Sequence, residues 1–149
     1  MELLKDDNSE VKLNVVTGLK KIAHVVGDEL FSSPMLLTVL GNMTKDGQWR
    51  VRMSVFELLA DFAIIFGMET YTTHLQTIFM GYLTNTAASV RQMGITKSGI
   101  LAAAFKNEWV MNEYIPVVIN HFSLDKKGYN YRMCCLNSLA AVLPYVMKD

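Results

Sequence analysis

A hydrophobic residue followed by a basic one recurs along this chain at nearly even intervals. The pairs stand 40, 39 and 41 positions apart, at Val11-Lys12, Val51-Arg52, Val90-Arg91 and Tyr131-Arg132. Each pair follows a short polar stretch and opens a long run of apolar residues in helical spacing. A repeat of this length constrains the fold strongly, because each unit has to stack its apolar face on its neighbours.

The apolar residues after each pair lie in columns that repeat from unit to unit. Offsets of 4, 8, 11 and 15 from the first residue of a pair fall on one face of an α-helix. These offsets hold Val15, Leu19, Ile22 and Val26 in the first unit and Val55, Leu59, Phe62 and Phe66 in the second. A period of about forty residues with two helical runs per unit is typical of HEAT and armadillo repeats. We therefore predict an all-α fold, a HEAT-repeat (armadillo-like) right-handed α-α superhelix, or solenoid, of about three and a half helical hairpins.

Seven helices account for the apolar runs. The chain begins with the end of one helix at 1–5, whose partner is predicted at 9–26. Three helical pairs follow, at 33–45 with 49–66, 70–84 with 88–105, and 108–123 with 129–147. Gly27 and Gly67 follow the first two long runs and fit helix C-termini. The predicted array is one domain, 1–149, with a partial repeat at 1–27 and full repeats at about 28–67, 68–106 and 107–149.

The two predicted ends of the array lack polar capping helices. The first unit has lost nearly all of its first helix, and the last hairpin still carries apolar residues such as Trp109 and Leu139. Terminal repeats of a solenoid normally need a polar outer face for solubility. We therefore expect the chain to be a segment of a longer array. The alternative is a complete small protein that dimerises through its ends.

Charge and hydropathy argue against several classes of function. Fourteen basic and fourteen acidic residues cancel, whereas proteins that bind a phosphate backbone usually carry a strongly basic face. The longest apolar stretches, such as 100–105, are far shorter than the ~20 residues that a membrane-spanning helix needs. We predict no nucleic-acid partner and no membrane association.

The cysteine and histidine patterns do not indicate a catalytic or metal site. Cys134 and Cys135 are adjacent and cannot form an ordinary framework disulfide, which favours a reducing compartment. Because the chain also starts without a signal-peptide run, we predict a cytoplasmic location, with the nucleus as an additional one. His24, His74 and His121 occupy different places in the repeat and cannot converge on one ion. Since no catalytic motif is present, we predict a protein that is not an enzyme and needs no cofactor.

A polar residue stands six positions before each basic residue of the first three pairs. In the structural interpretation, each turn acid faces the basic residue of its own or the next repeat, and this ladder sets the register between units. Its predicted members are Asp6, Lys12, Asp46, Arg52, Asn85, Arg91 and Arg132. The last repeat breaks the pattern, because Lys126 stands at the acidic position. The alternative interpretation is a set of ligand or acid/base residues.

Trp49 is the strongest candidate for a binding residue. It lies two positions before Val51, about 200° around a helix, so the two side chains do not share a face. A large aromatic side chain at a turn, away from the core, is typical of a partner-binding anchor. The equivalent positions are Ser9, Ala88 and Tyr129, and the predicted ridge comprises Gln48, Trp49, Arg50, Tyr129 and Asn130. Alternatively, Trp49 packs over the adjacent turn.

Several of these motifs resemble one protein family. The stretch Asp46-Gly47-Gln48-Trp49-Arg50-Val51-Arg52 resembles the scaffold (A, regulatory) subunit of type 2A serine/threonine protein phosphatase. Further matches run over essentially the whole chain, at Val90-Arg91, Lys106-Asn107-Glu108-Trp109, Ile115-Pro116 and Tyr129. Members of that family consist of about fifteen HEAT repeats. The resemblance places this chain in their C-terminal half, from the second helix of about the tenth repeat through the thirteenth.

The resemblance implies a non-catalytic protein that tethers other subunits. In that family, turns within the later repeats hold the phosphatase catalytic subunit, and turns of the earlier repeats hold an exchangeable regulatory subunit. The family's turn tryptophan and arginine match Trp49 and Arg50, and its turn tyrosine two repeats later matches Tyr129. The intermediate repeat departs from the family, with Ala88 in place of an aromatic residue.

Two other interpretations of the repeat pattern stay open. Another HEAT-type adaptor, of the transport or chromosome-associated kind, shares the fold, and only the Trp49-Arg50 turn and the matches around it argue against it. A HEAT-like DNA glycosylase needs a basic concave face and a carboxylate–aromatic pocket. The neutral net charge and the absence of clustered Lys and Arg residues argue against the glycosylase.

Overall fold

The computed structural model describes residues 8–123 and 128–146, and every regular element in these ranges is helical. The predicted all-α class is therefore confirmed. Backbone contacts divide the chain into two compact units, Met1–Gly81 and Tyr82–Asp149. None of the helices in the described ranges combines the length and the apolar character that a membrane crossing requires.

The first unit is built from four helical runs. They are α1 at Ser9–Val26, α2 at Pro34–Met43, α3 at Trp49–Phe66, and α4, which joins Met68–Thr70, the π-helical Tyr71–Leu75 and Gln76–Phe79. A 3-10 helix at Gly27–Ser32 connects α1 to α2. Helix α3 packs against α1, α2 and α4, so it forms the centre of the unit.

The second unit is built from three helical runs. They are α5 at Ala88–Trp109, α6, which joins the π-helical Val110–Tyr114 to Ile115–Phe122, and α7 at Tyr129–Val142. A 3-10 helix at Met80–Thr84 precedes α5, and another at Leu143–Tyr145 follows α7. Helix α7 packs against both α5 and α6.

The four long helices begin at the residues that the repeat predicts. Their first residues are Ser9, Trp49, Ala88 and Tyr129, each three positions before the basic residue of its pair. Helices α1 and α3 also end at the predicted residues. Within the first unit α1 packs on α3, and within the second α5 packs on α7, so helices one period apart are neighbours in each unit.

A residue with positive φ follows each of the first three long helical runs. Gly27 (φ 66°) and Gly67 (φ 88°) cap α1 and α3, and their N–H groups donate to the carbonyl oxygens of Ala23 and Ala63. Both glycines were predicted as helix ends. At the third equivalent position stands Lys106, which interrupts α5 with φ 64° and ψ −170°. The same turn is therefore made by glycine twice and by a side-chain-bearing residue once.

The core of the first unit is the predicted apolar face of α3. The side chains of Val51, Val55, Leu59 and Phe62 are completely buried. Phe31, from the segment between α1 and α2, meets the edge of the Phe62 ring at a centroid distance of 5.5 Å. Burying large apolar side chains in this way is the main source of stability for such a unit.

The same apolar face is not buried on α1, and here the prediction is wrong. Ile22 is 48% exposed, whereas its equivalent Phe62 is 0% exposed. Val26 is also exposed, and Val15 and Leu19 are half-buried. Among the described residues, α1 packs on α3 and on the 3-10 helix Gly27–Ser32. Helix α3 is covered by α2 and Phe31. No described helix covers α1 in the same way, so the apolar side chains of this face remain at least partly exposed to solvent.

The second unit contains a cluster of buried hydroxyl groups. The Tyr82 hydroxyl lies 2.7 Å from Ser138 Oγ, 2.9 Å from the Tyr114 hydroxyl and 3.2 Å from Ser98 Oγ. All four side chains are buried, and burial raises the pKa of both tyrosines above the ordinary value. Because buried hydroxyls are costly unless they are paired, this cluster favours one relative position of the helices that carry it.

Candidate partner-binding turns

Hydrogen bonds made by the side chains of Asp46 and Arg52 hold the turn before Trp49. Asp46 Oδ1 accepts a hydrogen bond of 2.8 Å from the Gln48 N–H, a local turn typical of Asp and Asn. Arg52 Nη1 donates to the carbonyl oxygens of Asp46 at 2.6 Å and Gly47 at 3.1 Å. The guanidinium therefore satisfies carbonyl groups that the end of a helical hairpin would leave to water.

Asp46 also joins this turn to the preceding repeat. Its Oδ2 lies 2.7 Å from Lys12 Nζ, and both side chains are largely buried. Burial acts to raise the pKa of the Asp46 carboxyl, but the hydrogen bonds from Lys12 and the Gln48 N–H outweigh it and lower the pKa below its ordinary value. The predicted ladder pairs each turn acid with the basic residue of its own or the next repeat, whereas Asp46 pairs with the basic residue of the preceding one.

Trp49 is the first residue of α3 and lies on the outer side of this turn. Its side chain is 41% exposed, whereas Val51, two positions on, is completely buried. The Arg50 guanidinium carbon lies 5.6 Å from the centroid of the indole ring, within the range of a cation–π contact. Gln48 and Arg50 are exposed as well. In the first unit, the three predicted binding residues therefore lie together on the surface.

The turn before α5 repeats this hydrogen-bonding pattern in the second unit. Asn85 Oδ1 accepts a hydrogen bond of 3.1 Å from the Ala87 N–H. Arg91 Nη1 donates to the carbonyl oxygens of Asn85 at 2.7 Å and Thr86 at 3.0 Å. Thus the polar residue and the arginine six positions later stabilise the same turn through backbone groups. The sequence interpretation, in which an arginine faces an acidic side chain, missed this role.

Two further residues of the predicted ladder, Asp6 and Arg132, add no ion pair between repeats among the described residues. Asp6 lies outside the described residues, as does Lys126 at the acidic position of the last repeat. Arg132 is exposed on the first turn of α7.

The first turn of α7 presents the other predicted binding residues. Tyr129 is 69% exposed, and Asn130 is exposed as well. Ala88, the equivalent residue at the start of α5, is also exposed. The residue that follows Asn130, Tyr131, is buried, and its hydroxyl lies 2.8 Å from His121 Nδ1. Burial raises the pKa of Tyr131 to about 12. The buried Tyr131 thus anchors the start of α7, while Tyr129, two positions earlier, lies on the surface.

Neither a metal cluster nor an activated cysteine thiol is found among the described side chains. Within residues 8–123 and 128–146, no group of three His, Cys, Asp or Glu side chains is arranged to hold a metal ion. Cys134 and Cys135 are buried, and neither is part of a disulfide bond. Burial, followed by the neighbouring Cys135, raises the pKa of the Cys134 thiol to about 11. A thiol with so high a pKa is a poor nucleophile at neutral pH.

In comparisons with known proteins, no family model matches this chain, and no curated protein matches it.

Proposed function

We propose that this chain is a segment of a HEAT-repeat scaffold that binds the catalytic subunit of a type 2A serine/threonine protein phosphatase through its intra-repeat turns. The observation that carries the proposal is the exposed Trp49 side chain, next to Arg50, on a turn held by Asp46 and Arg52. A tryptophan on a rigid turn loses little conformational entropy on binding, so much of its burial contributes to affinity.

The same turn geometry recurs in each of the two units, which supports the turns as binding elements. The hydrogen bonds at Asp46 and Arg52 recur at Asn85 and Arg91. Each turn ends at the first residue of a long helix, at Trp49 and Ala88, and Tyr129 begins the next one. Rigid turns of this kind are suited to present side chains to a folded partner.

Such a segment acts by tethering the catalytic subunit to the rest of the complex. A scaffold that holds the catalytic subunit and an exchangeable regulatory subunit raises the effective concentration of each for the other and for a bound substrate. The chain itself performs no chemical step, and the regulatory subunit contacts repeats outside this segment. Such a complex acts in the cytoplasm, and also in the nucleus.

The decisive experiment measures the affinity of this chain for a purified type 2A catalytic subunit by surface plasmon resonance. Replacing Trp49 with alanine should weaken binding by about 2 kcal/mol, or about thirtyfold, because a central aromatic anchor is lost. The matched control is Met35→Ala, which removes another exposed apolar side chain of the first unit. Equal affinities of wild type and Trp49→Ala, with both folded by circular dichroism, would remove the Trp49 turn from the interface.

A further inference from the structure

The second unit contains a groove between α5 and α7 that shares Tyr129 and Asn130 with the predicted ridge and extends beyond it. One part, of about 580 Å³, lies between the turn at 83–86 and the start of α7. A second part, of about 170 Å³, continues along the facing sides of the two helices. Arg91 and Asn130 line both parts, so the two lie next to each other in one cleft between the helices. We call this cleft the α5–α7 groove.

The polar lining of the groove consists mostly of neutral groups. Hydroxyl and carboxamide side chains line it, namely Thr84, Asn85, Thr86, Gln92, Asn130 and Asn137. Tyr131 and Cys134 also line it, and their raised pKa values of about 12 and about 11 keep both uncharged at neutral pH. Among the described lining residues, Arg91 is the one that carries a charge.

Arg91 is held in place by the turn that it stabilises. Both hydrogen bonds, to the carbonyl oxygens of Asn85 and Thr86, come from Nη1. A guanidinium carries five N–H donors, so the donors on Nε and Nη2 are additional to these two. A guanidinium fixed in this way is preorganised for a carboxylate, which it binds through paired hydrogen bonds.

The carboxamides are placed to bind a polypeptide backbone. Asn130 and Asn137 are exposed and line the groove from α7. They are seven positions apart, which is two helical turns or about 10 Å along the axis. Each carboxamide offers one acceptor and two donors, the complement of a peptide C=O and N–H. Gln92 presents the same chemistry from α5.

We propose that the α5–α7 groove binds an extended, acidic peptide segment of a partner protein. Arg91 binds a carboxylate of the peptide, and Asn130 and Asn137 hydrogen-bond its backbone. Tyr129, at the mouth of the groove, packs on the peptide as it leaves. A nucleic acid is disfavoured because its repeated phosphates require several cations, and the lining has one. The proposal concerns peptide chemistry alone and holds for any partner that carries such a segment.

A random decapeptide library displayed on phage tests the groove with a defined probe. Selection on the full chain should enrich peptides that contain Asp or Glu, and the enriched peptide is then synthesised with a fluorescent label. Fluorescence anisotropy should show at least tenfold weaker binding to Arg91→Gln and to Asn137→Glu. Asn137→Lys should bind the acidic peptide more tightly, because it adds a second cation to the groove.

The controls separate binding from folding. Arg132→Gln removes a positive charge from α7 at a residue that does not line the groove, and it should bind as wild type does. Asn137 takes no part in the turn that Arg91 stabilises, so its variants report on the groove even if Arg91→Gln loosens that turn. Failure to enrich any peptide, enrichment of peptides without acidic residues, or equal binding by wild type and Asn137→Glu would overturn the proposal.

Discussion

The Tyr82 ring lies against α5 at the point where a side chain on Gly94 would begin. A Cβ placed on Gly94 would stand 2.2 Å from Tyr82 Cγ, far inside any contact distance. The ring can approach the helix backbone only because this position is glycine, and the approach brings the Tyr82 hydroxyl to Ser98 and Ser138. Gly94 in the middle of a predicted helix is therefore explained by close packing.

Replacing Gly94 with alanine should destabilise the chain by about 2 kcal/mol. The methyl group overpacks the contact with Tyr82, which outweighs the gain in helix propensity. Gly99 on the same helix is the control, because its added Cβ would meet its nearest atom, the Ala141 carbonyl oxygen, at 3.4 Å. Urea unfolding followed by circular dichroism compares the variants. A Gly94→Ala protein as stable as Gly99→Ala would show that the ring moves aside freely.

Lys106→Gly should stabilise the chain by about 1 kcal/mol. Lys106 has φ 64° and ψ −170°, a region that glycine enters readily and that costs other residues about 1–3 kcal/mol. Part of the gain is offset by the greater freedom of glycine in the unfolded chain. Lys106→Ala keeps the Cβ and should leave the unfolding midpoint nearly unchanged. If alanine stabilises as much as glycine, the lysine side chain rather than the backbone is the source of the strain.

The contact between Asp46 and Lys12 should make stability depend on acid pH. The pKa of Asp46 is lowered in the folded chain from its ordinary value of 3.8, so its contribution is fully present above pH 3.8 and is lost as the pH falls through the lower folded value. Asp46→Asn should cost about 1 kcal/mol at pH 7.

The check is urea unfolding of wild type and Asp46→Asn at several pH values. The difference in unfolding free energy should shrink below pH 3.8 and vanish in stronger acid. Glu69→Gln, at an exposed carboxylate of the same unit, serves as the control and should show no such trend. A difference between wild type and Asp46→Asn that is the same at pH 7 and in strong acid would contradict the contribution of this charge.

Ala88→Tyr should strengthen binding to the catalytic subunit that we propose as the partner. Ala88 is exposed at the position where Trp49 and Tyr129 stand in the neighbouring repeats. A tyrosine there would add an aromatic contact at this turn, for an expected gain of about tenfold in affinity, the scale of one interface aromatic. Surface plasmon resonance measures it, with Ala104→Tyr, an exposed alanine near the far end of α5, as the control. No gain at Ala88 would place the partner away from this turn.

Much of the local structure follows from the repeat. The starts of α1, α3, α5 and α7 were predicted to the residue because the same polar-to-apolar change recurs at each of them. The glycine ends of α1 and α3 were predicted for the same reason. The break in α5 after residue 105 was also predicted, but the positive φ of Lys106 was not, because a lysine does not carry the signal of a left-handed turn.

The candidate site was predicted only in part. The exposure of Trp49 followed from its angular distance to Val51 along one helix. The groove residues Gln92 and Asn137 were missed, because polar residues on a helix ordinarily indicate no more than a solvated face.

The sequence alone determined where the helices begin and which side of each is apolar, since both depend on residues within a few turns of one another. The tertiary structure decided which other helices and side chains pack against those apolar sides. Ile22 is exposed and Phe62 buried at the same place in the repeat, because among the described residues it is Phe62 that has a helix and Phe31 packed over it. Likewise Arg91 binds turn carbonyls and Tyr82 meets Gly94. Such contacts depend on distances in the folded chain that no local spacing encodes.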